Sequence, residues 1–203
     1  MTDATPTFVL ASASPRRLDL LRQVGLEPEV RPVDIDETPL PGEAARDYVE
    51  RLALAKARAA AKGEARPVLG SDTSVVVDGE ILGKPVDESD AAAMLERLSG
   101  RAHIVMTAVA VVHGDKENHV TVATEVEFAP LSDDEIKAYW KTGEPIDKAG
   151  AYGIQGHAAA FIVRVNGSYS GVVGLPLHET TQLLRESGVE ILEGWRKNVA
   201  GES

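Results

Sequence analysis

The chain has 203 residues, 43% hydrophobic and 26% charged, the balance of an ordinary globular protein, so disorder and fibrous repeats are excluded. Its 21 basic residues face 32 acidic ones, a net charge of −11 that argues against a broad nucleic-acid-binding surface; a polyanion would have to be met by a few clustered cations. With no cysteine, disulfides, thiolate metal sites and a thiol nucleophile are also excluded.

Thr7–Ala11 reads as a short buried strand, and Pro15, favoured at the first helical position, opens a helix that Gly25 ends. Between them lies Ser12-Ala13-Ser14-Pro15-Arg16-Arg17. Hydroxyls, guanidiniums and a positive helix terminus at one junction suit a phosphate, although an ordinary serine cap with solvent-facing arginines fits equally well.

Val30–Val33 is the next expected strand, followed by a proline-containing loop, residues 34–42. The loop carries Asp34, Asp36 and Glu37, three carboxylates that suit either a solvated surface or a divalent cation. A helix is expected from Glu43 through Lys62. Within it Tyr48, Leu52 and Lys56 lie four apart, placing Lys56 on a core-type face, either snorkelling or aimed at a ligand.

Val68–Val77 and Glu80–Leu82 form an expected hairpin around Asp78-Gly79. Gly70-Ser71-Asp72-Thr73 follows Val68-Leu69, and Asp72 is read as an acid at a strand's end, where open α/β sheets put their chemistry, suited to holding a divalent ion, taking a proton from water, or capping a turn. Gly79–Pro85 falls short of a Walker A loop, yet leaves Lys84 able to touch phosphate as a point charge.

A helix over 88–98 precedes a second hairpin, Ala102–His113 with His119–Phe128. Ser132 and Glu135 make a capping box for a helix ending near Lys141. The stretch Asp147–Gly156 has glycines at 150, 153 and 156, which suggests backbone pressed against a ligand, with Gln155 able to read a base edge. A third hairpin is expected from Ala158–Val165 and Tyr169–Val173, then a helix from Pro176 through Arg185. Residues 187–203 lack periodicity and read as a peripheral tail to residues 1–186, whose length fits one large domain or two small lobes sharing a cleft. The five histidines lack metal-ligand spacing and read as structural or exposed. The mixture of strands and helices, without strict alternation, predicts an α/β or α+β protein with a mixed sheet.

No apolar run approaches the roughly 20 residues needed to span a bilayer. Met1–Pro6 has neither the basic nor the apolar region of a secretory signal, so a cytoplasmic protein without a membrane partner is expected.

Six motifs in order, Ser12–Arg17, Asp36-Glu37, Lys56, Gly70–Thr73, Gly83-Lys84-Pro85 and Asp147–Gly156, closely resemble those of the Maf (septum formation inhibitor-like) nucleotide pyrophosphatases. The similarity runs from about Phe8 to Leu184. It implies a two-lobed α/β fold, an elongated mixed sheet flanked by helices around a cleft like that of the inosine triphosphate pyrophosphatases, and commonly a homodimer. It also implies cleavage of a nucleoside triphosphate between its α and β phosphates, with Mg²⁺ or Mn²⁺. By this resemblance Asp72 is the proton acceptor. Ser12, Arg17, Lys56 and Lys84 handle phosphate, and Glu37 with Asp72 handles the metal. Arg16, Thr73 and Gln155 match the positions that mark the branch acting on dTTP and UTP; the 7-methyl-GTP branch carries Trp, Gln and Glu there. A cell-division regulator with little turnover and a pyrophosphatase of other base choice are the rival readings.

Overall fold

A computed structural model describes residues 6–191. Strand β1 (Val9–Leu10) leads into helix α1 (Pro15–Gln23), followed by β2 (Glu29–Val30) and helix α2 (Ala45–Ala60). Then come β3 (Val68–Val77), β4 (Glu80–Leu82), α3 (Glu88–Leu98), β5 (Ala102–His113) and β6 (Lys116–Phe128). Helix α4 (Asp133–Trp140), three short 3-10 turns, β7 (Ile162–Asn166), α5 (Tyr169–Val173) and α6 (Leu177–Glu186) complete the described chain.

The strands form one mixed sheet in the order β2-β1-β3-β5-β6-β7, with β4 added beside β3. The β1 pairings are parallel, whereas β4, β5, β6 and β7 join antiparallel. This is the mixed sheet expected from the sequence. Asp78 and Gly79 both take positive φ, 54° and 79°, as a tight two-residue hairpin turn requires.

The site is positioned by an interruption along one edge of β3. There β1 pairs with Val68 and Leu69, and β4 pairs with Val75, Val76 and Val77. Among the described residues no strand pairs with 70–74 on that edge, while their other edge is fully paired to β5. The sheet therefore divides locally. One core gathers Phe8, Leu10, Leu21, Leu69, Leu175 and Leu184; another gathers Val75, Leu95, Val105, Val126, Phe128 and Tyr152. The long strands β3 and β5 run through both cores and join the two sides across the interruption.

Several boundaries differ from the sequence expectation. Val30–Val33 contributes only its first residue to β2. The β5–β6 hairpin is longer than expected, because β6 begins at Lys116 directly after Gly114-Asp115. The third hairpin is absent: residues 157–161 form a 3-10 turn, β7 pairs back onto β6, and Tyr169–Val173 is helical. Ser168 accepts a hydrogen bond from Gly171 N–H at 3.0 Å and so caps that helix, overriding the strand preference of Tyr and Val. The expected tail also begins inside the core, since Val189 is 4% and Ile191 2% exposed; residues 192–203 lie outside the described chain.

Candidate active site

The interruption beside β3 opens into a cleft of about 790 Å³ lined from both cores. Asp72 stands in the middle of β3, paired opposite Ala108, rather than at a strand's end or in a turn, and alternation sends Gly70 and Asp72 to one face and Ser71 and Thr73 to the other. The first face receives α2, which packs so closely that Ala53 and Ala57 lie against Gly70. A β-carbon at 70 would stand 2.8 Å from the Ala57 amide nitrogen, so glycine is what allows the helix its approach.

Lys56 is carried on that helix one turn beyond Leu52, on the buried face. It neither snorkels nor stands free: its Nζ lies 2.8 Å from Asp72 Oδ1 and 2.7 Å from Glu37 Oε1. Burial pushes the Asp72 carboxyl above its ordinary pKa, with Lys56 and Arg17 pulling the other way. Asp72 is thus a buried carboxyl whose proton affinity is raised by burial, set against an ammonium that opposes the rise.

Glu37 reaches this point because its loop is tied to α2. Tyr48, placed among core-type residues by its spacing, donates its hydroxyl to the Glu37 carbonyl at 2.9 Å. Burial, with the charges of Asp72 and Glu37, pushes that phenol up to about 12, so it remains a donor. Arg51 grips Glu43 with bonds of 2.6 and 2.7 Å and the Thr38 carbonyl at 3.2 Å; this guanidinium holds Glu43 down at about 2.

Across the other face of β3 lies Arg17. Its Nε donates to the Gly174 carbonyl at 2.9 Å, Nη1 to Ser12 Oγ at 3.1 Å, and Nη2 to Thr73 Oγ1 at 3.3 Å. Thr73 Oγ1 also lies 3.0 Å from Thr107 Oγ1, and Thr107 donates to the Gly171 carbonyl at 2.8 Å. A hydroxyl has one proton, so with Thr107 committed to Gly171, Thr73 donates to Thr107 and accepts from Arg17. The Gly174 carbonyl also accepts from Ser71 at 3.1 Å. The Ser14 side chain caps nothing in α1, and Ser12 Oγ accepts the Ser14 N–H at 3.2 Å. The ordinary serine-cap reading of this junction therefore fails, and the helix start faces the cleft beside two arginines.

The opposite wall is the 144–156 segment. Gly150, at φ 68°, donates its N–H to the Gly83 carbonyl at 2.9 Å, bringing this wall beside exposed Lys84. Gln155 is exposed on the wall, and Asp147 stands 3.6 Å from Arg16 across the cleft. Ser12, Arg16, Arg17, Glu37, Lys56, Asp72, Thr73, Lys84 and Gln155 all line this one cavity. Three further lining residues escaped the sequence reading as individual site candidates. Tyr48 looked like core, Lys148 sat unremarked within the glycine-rich motif, and Glu144 had only its place ahead of that motif as a signal. Burial works against the Glu144 carboxylate, yet hydrogen bonds from His157 and Tyr139 hold it below its ordinary pKa.

Two carboxylates that converge on one cation suit a hard divalent ion that keeps waters and takes its remaining ligands from substrate phosphates. No group of three or more His, Asp or Glu fit to hold a metal is present among the described residues. Of the histidines, His103 is buried and hydrogen-bonded to Tyr152 at 2.8 Å, while His113, His119, His157 and His178 lie at the surface or partly exposed.

Fold and site together define an α/β protein whose cleft pairs a buried carboxylate with a cationic, helix-terminated anion pocket. The chain belongs to the Maf family: the Maf-like protein family matches residues 7–187. A protein of Aromatoleum aromaticum named dTTP/UTP pyrophosphatase is 53% identical over 194 residues, covering 88% of this chain and 94% of that protein. One of the same name from Symbiobacterium thermophilum is 54% identical over 188 residues, covering 92% and 97%. Among solved structures, the Staphylococcus aureus Ham1 protein aligns over 71% of this chain and 84% of its own with a TM-score of 0.46 at 19% identity, a likeness too partial to add to the fold described above. No helix among the described residues is long and apolar enough to cross a membrane.

Proposed function

We propose that this chain is a nucleoside triphosphate pyrophosphatase that hydrolyses dTTP and UTP, and modified uridine triphosphates as a pool-cleaning activity, to the nucleoside monophosphate and pyrophosphate. The observation that carries this reading is the Lys56 ammonium held between Glu37 and Asp72 in a cleft that also presents Arg17 and Gln155. The names of the relatives at over half identity support the same substrates.

Asp72 takes a proton from the attacking water, using the carboxylate oxygen not engaged by Lys56. The water oxygen bonds to phosphorus, the α–β bridging P–O bond breaks, and pyrophosphate leaves with the bridging electrons. Lys56 and Lys84 offset charge on the polyphosphate. Arg17, locked by Ser12, Thr73 and Gly174, orients it without having to reorganise. Glu37 and Asp72 would hold a Mg²⁺ or Mn²⁺ ion, which when bound supplies charge neutralisation at the phosphate oxygens. An acidic protein admits a polyanion only where such cations converge, which keeps nucleic acid out of the scheme.

Gln155 fits the carbonyl–imide–carbonyl edge of uracil and thymine, because an amide both donates and accepts. Cytosine would leave polar groups unpaired at about 1–3 kcal/mol, or roughly 5–150-fold. Arg16 repels the cationic ring of 7-methyl-GTP. The protein acts in the cytoplasm as a homodimer, a state that light scattering of the purified protein checks. The deciding experiment is a panel of dTTP, UTP, CTP and 7-methyl-GTP assayed for pyrophosphate release with and without EDTA. Preference for dTTP and UTP, lost with EDTA, is expected; equal turnover of 7-methyl-GTP overturns the base assignment.

A further inference from the structure

Gln155 sits exposed on the cleft wall, so its aim is set by the backbone on either side. On one side Gly153 donates its N–H to the Tyr139 hydroxyl at 3.1 Å, and that hydroxyl donates to Glu144 Oε1 at 2.7 Å. On the other side His157 N–H donates to Glu144 Oε2 at 2.8 Å, with Ala158 N–H reaching Oε1 at 3.5 Å. Gly156 N–H closes the turn onto the Gly153 carbonyl at 3.1 Å. A β-carbon on Gly156 would collide with the Glu144 carboxylate, so the turn is moulded directly onto this side chain.

We infer that Glu144 is the positioning residue for base selection, clamping both ends of the Gly153–Ala158 turn through its two carboxylate oxygens and so fixing the Gln155 amide. This rests on the dTTP/UTP reading above. The chemistry demands a carboxylate. Each of its oxygens only accepts, and here the donors are a phenol, backbone N–H groups and the His157 ring at 3.0 Å. A Gln at 144 must set its NH₂ against either the His157 N–H or the Ala158 N–H, because of its partners only the Tyr139 hydroxyl can turn to accept from it, so the 157–158 end of the turn is loosened. The residues assigned to the polyphosphate lie outside this turn: Ser12 between β1 and α1, Arg17 on α1, Lys56 on α2 and Lys84 just after β4.

The test measures kcat and KM for UTP and CTP in the wild type, E144Q, Q155A and the double variant. A base contact made equally in ground and transition states falls on KM. In E144Q the UTP-to-CTP ratio of kcat/KM is expected to fall by about fivefold or more, chiefly through KM for UTP. In the Q155A background E144Q is expected to change that ratio by less than about twofold, because residues acting as one unit are not additive. An unchanged ratio in E144Q, or an equal loss in both backgrounds, overturns the inference. A wild type with no UTP preference overturns instead the reading beneath it. Should E144Q fail to fold, Tyr139→Phe, which removes only the hydroxyl bridge to Gly153, carries the same comparison.

Discussion

Gly70 on β3 lies directly beneath Ala53 of α2, so close that any β-carbon there would strike the Ala53 carbonyl oxygen. The distance between these two elements sets the reach of Lys56 to Asp72, which is 2.8 Å. Gly70→Ala should therefore cost about 1–3 kcal/mol of stability by overpacking and lengthen the Lys56–Asp72 contact. A melting temperature lowered by several degrees, with kcat reduced more than KM, is the expected pair of results.

His103 is 3% exposed, and its burial holds the imidazole at about 4. The unfolded chain then binds its proton near pH 6.5 while the folded chain does not, so stability falls as pH drops from about 6.5 toward 4. The loss attributable to His103 reaches up to about 3 kcal/mol. Urea titrations at pH 7 and 4.5 should show this decline, and His103→Gln, which cannot titrate, should lessen it.

Much of this architecture is legible in the sequence because local signals and tertiary packing agree. The Asp78-Gly79 turn, the Pro15 helix start and the Ser132–Glu135 capping box all stand where expected. The failures have a common physical cause. Tyr169–Val173 has strand composition, but a side-chain cap from Ser168 and the carbonyls of Gly171 and Gly174, bound by Thr107 and Arg17, define a helix there. Val189 and Ile191 look like isolated residues after the last periodic helix, yet a cavity-filling position in the first core needs no periodicity. In the site, charged residues in short motifs were visible. Glu144, Tyr139 and Thr107 were not, because each acts through a partner distant in sequence: Thr107 through Thr73, Glu144 through the turn at 153–158.

Arg17 uses three nitrogens on three different partners, a fork that lysine cannot reproduce. Arg17→Lys keeps the charge and loses the geometry. A fall of about 10–100-fold in kcat/KM is expected with the circular dichroism spectrum unchanged.

Lys56 opposes the rise that burial imposes on the Asp72 carboxyl. In Lys56→Met that opposition is gone, so the Asp72 pKa should climb further. Activity that needs ionised Asp72 is present above that pKa and lost below it. The acid limb of kcat/KM should therefore move to higher pH in the variant, with a lower plateau; a limb that stays in place would show that Asp72 is not the titrating base.

The products of the first turnover of UTP test most directly whether Asp72 is the base for α–β cleavage. Products of UTP should be separated by chromatography for the wild type and for Asp72→Asn with Mg²⁺ present. Wild type should give UMP and pyrophosphate, and Asp72→Asn should bind UTP yet lose about 10²–10⁴-fold in rate. UDP with orthophosphate as first products, or undiminished turnover by Asp72→Asn, would contradict the assignment of Asp72 as the base for α–β cleavage.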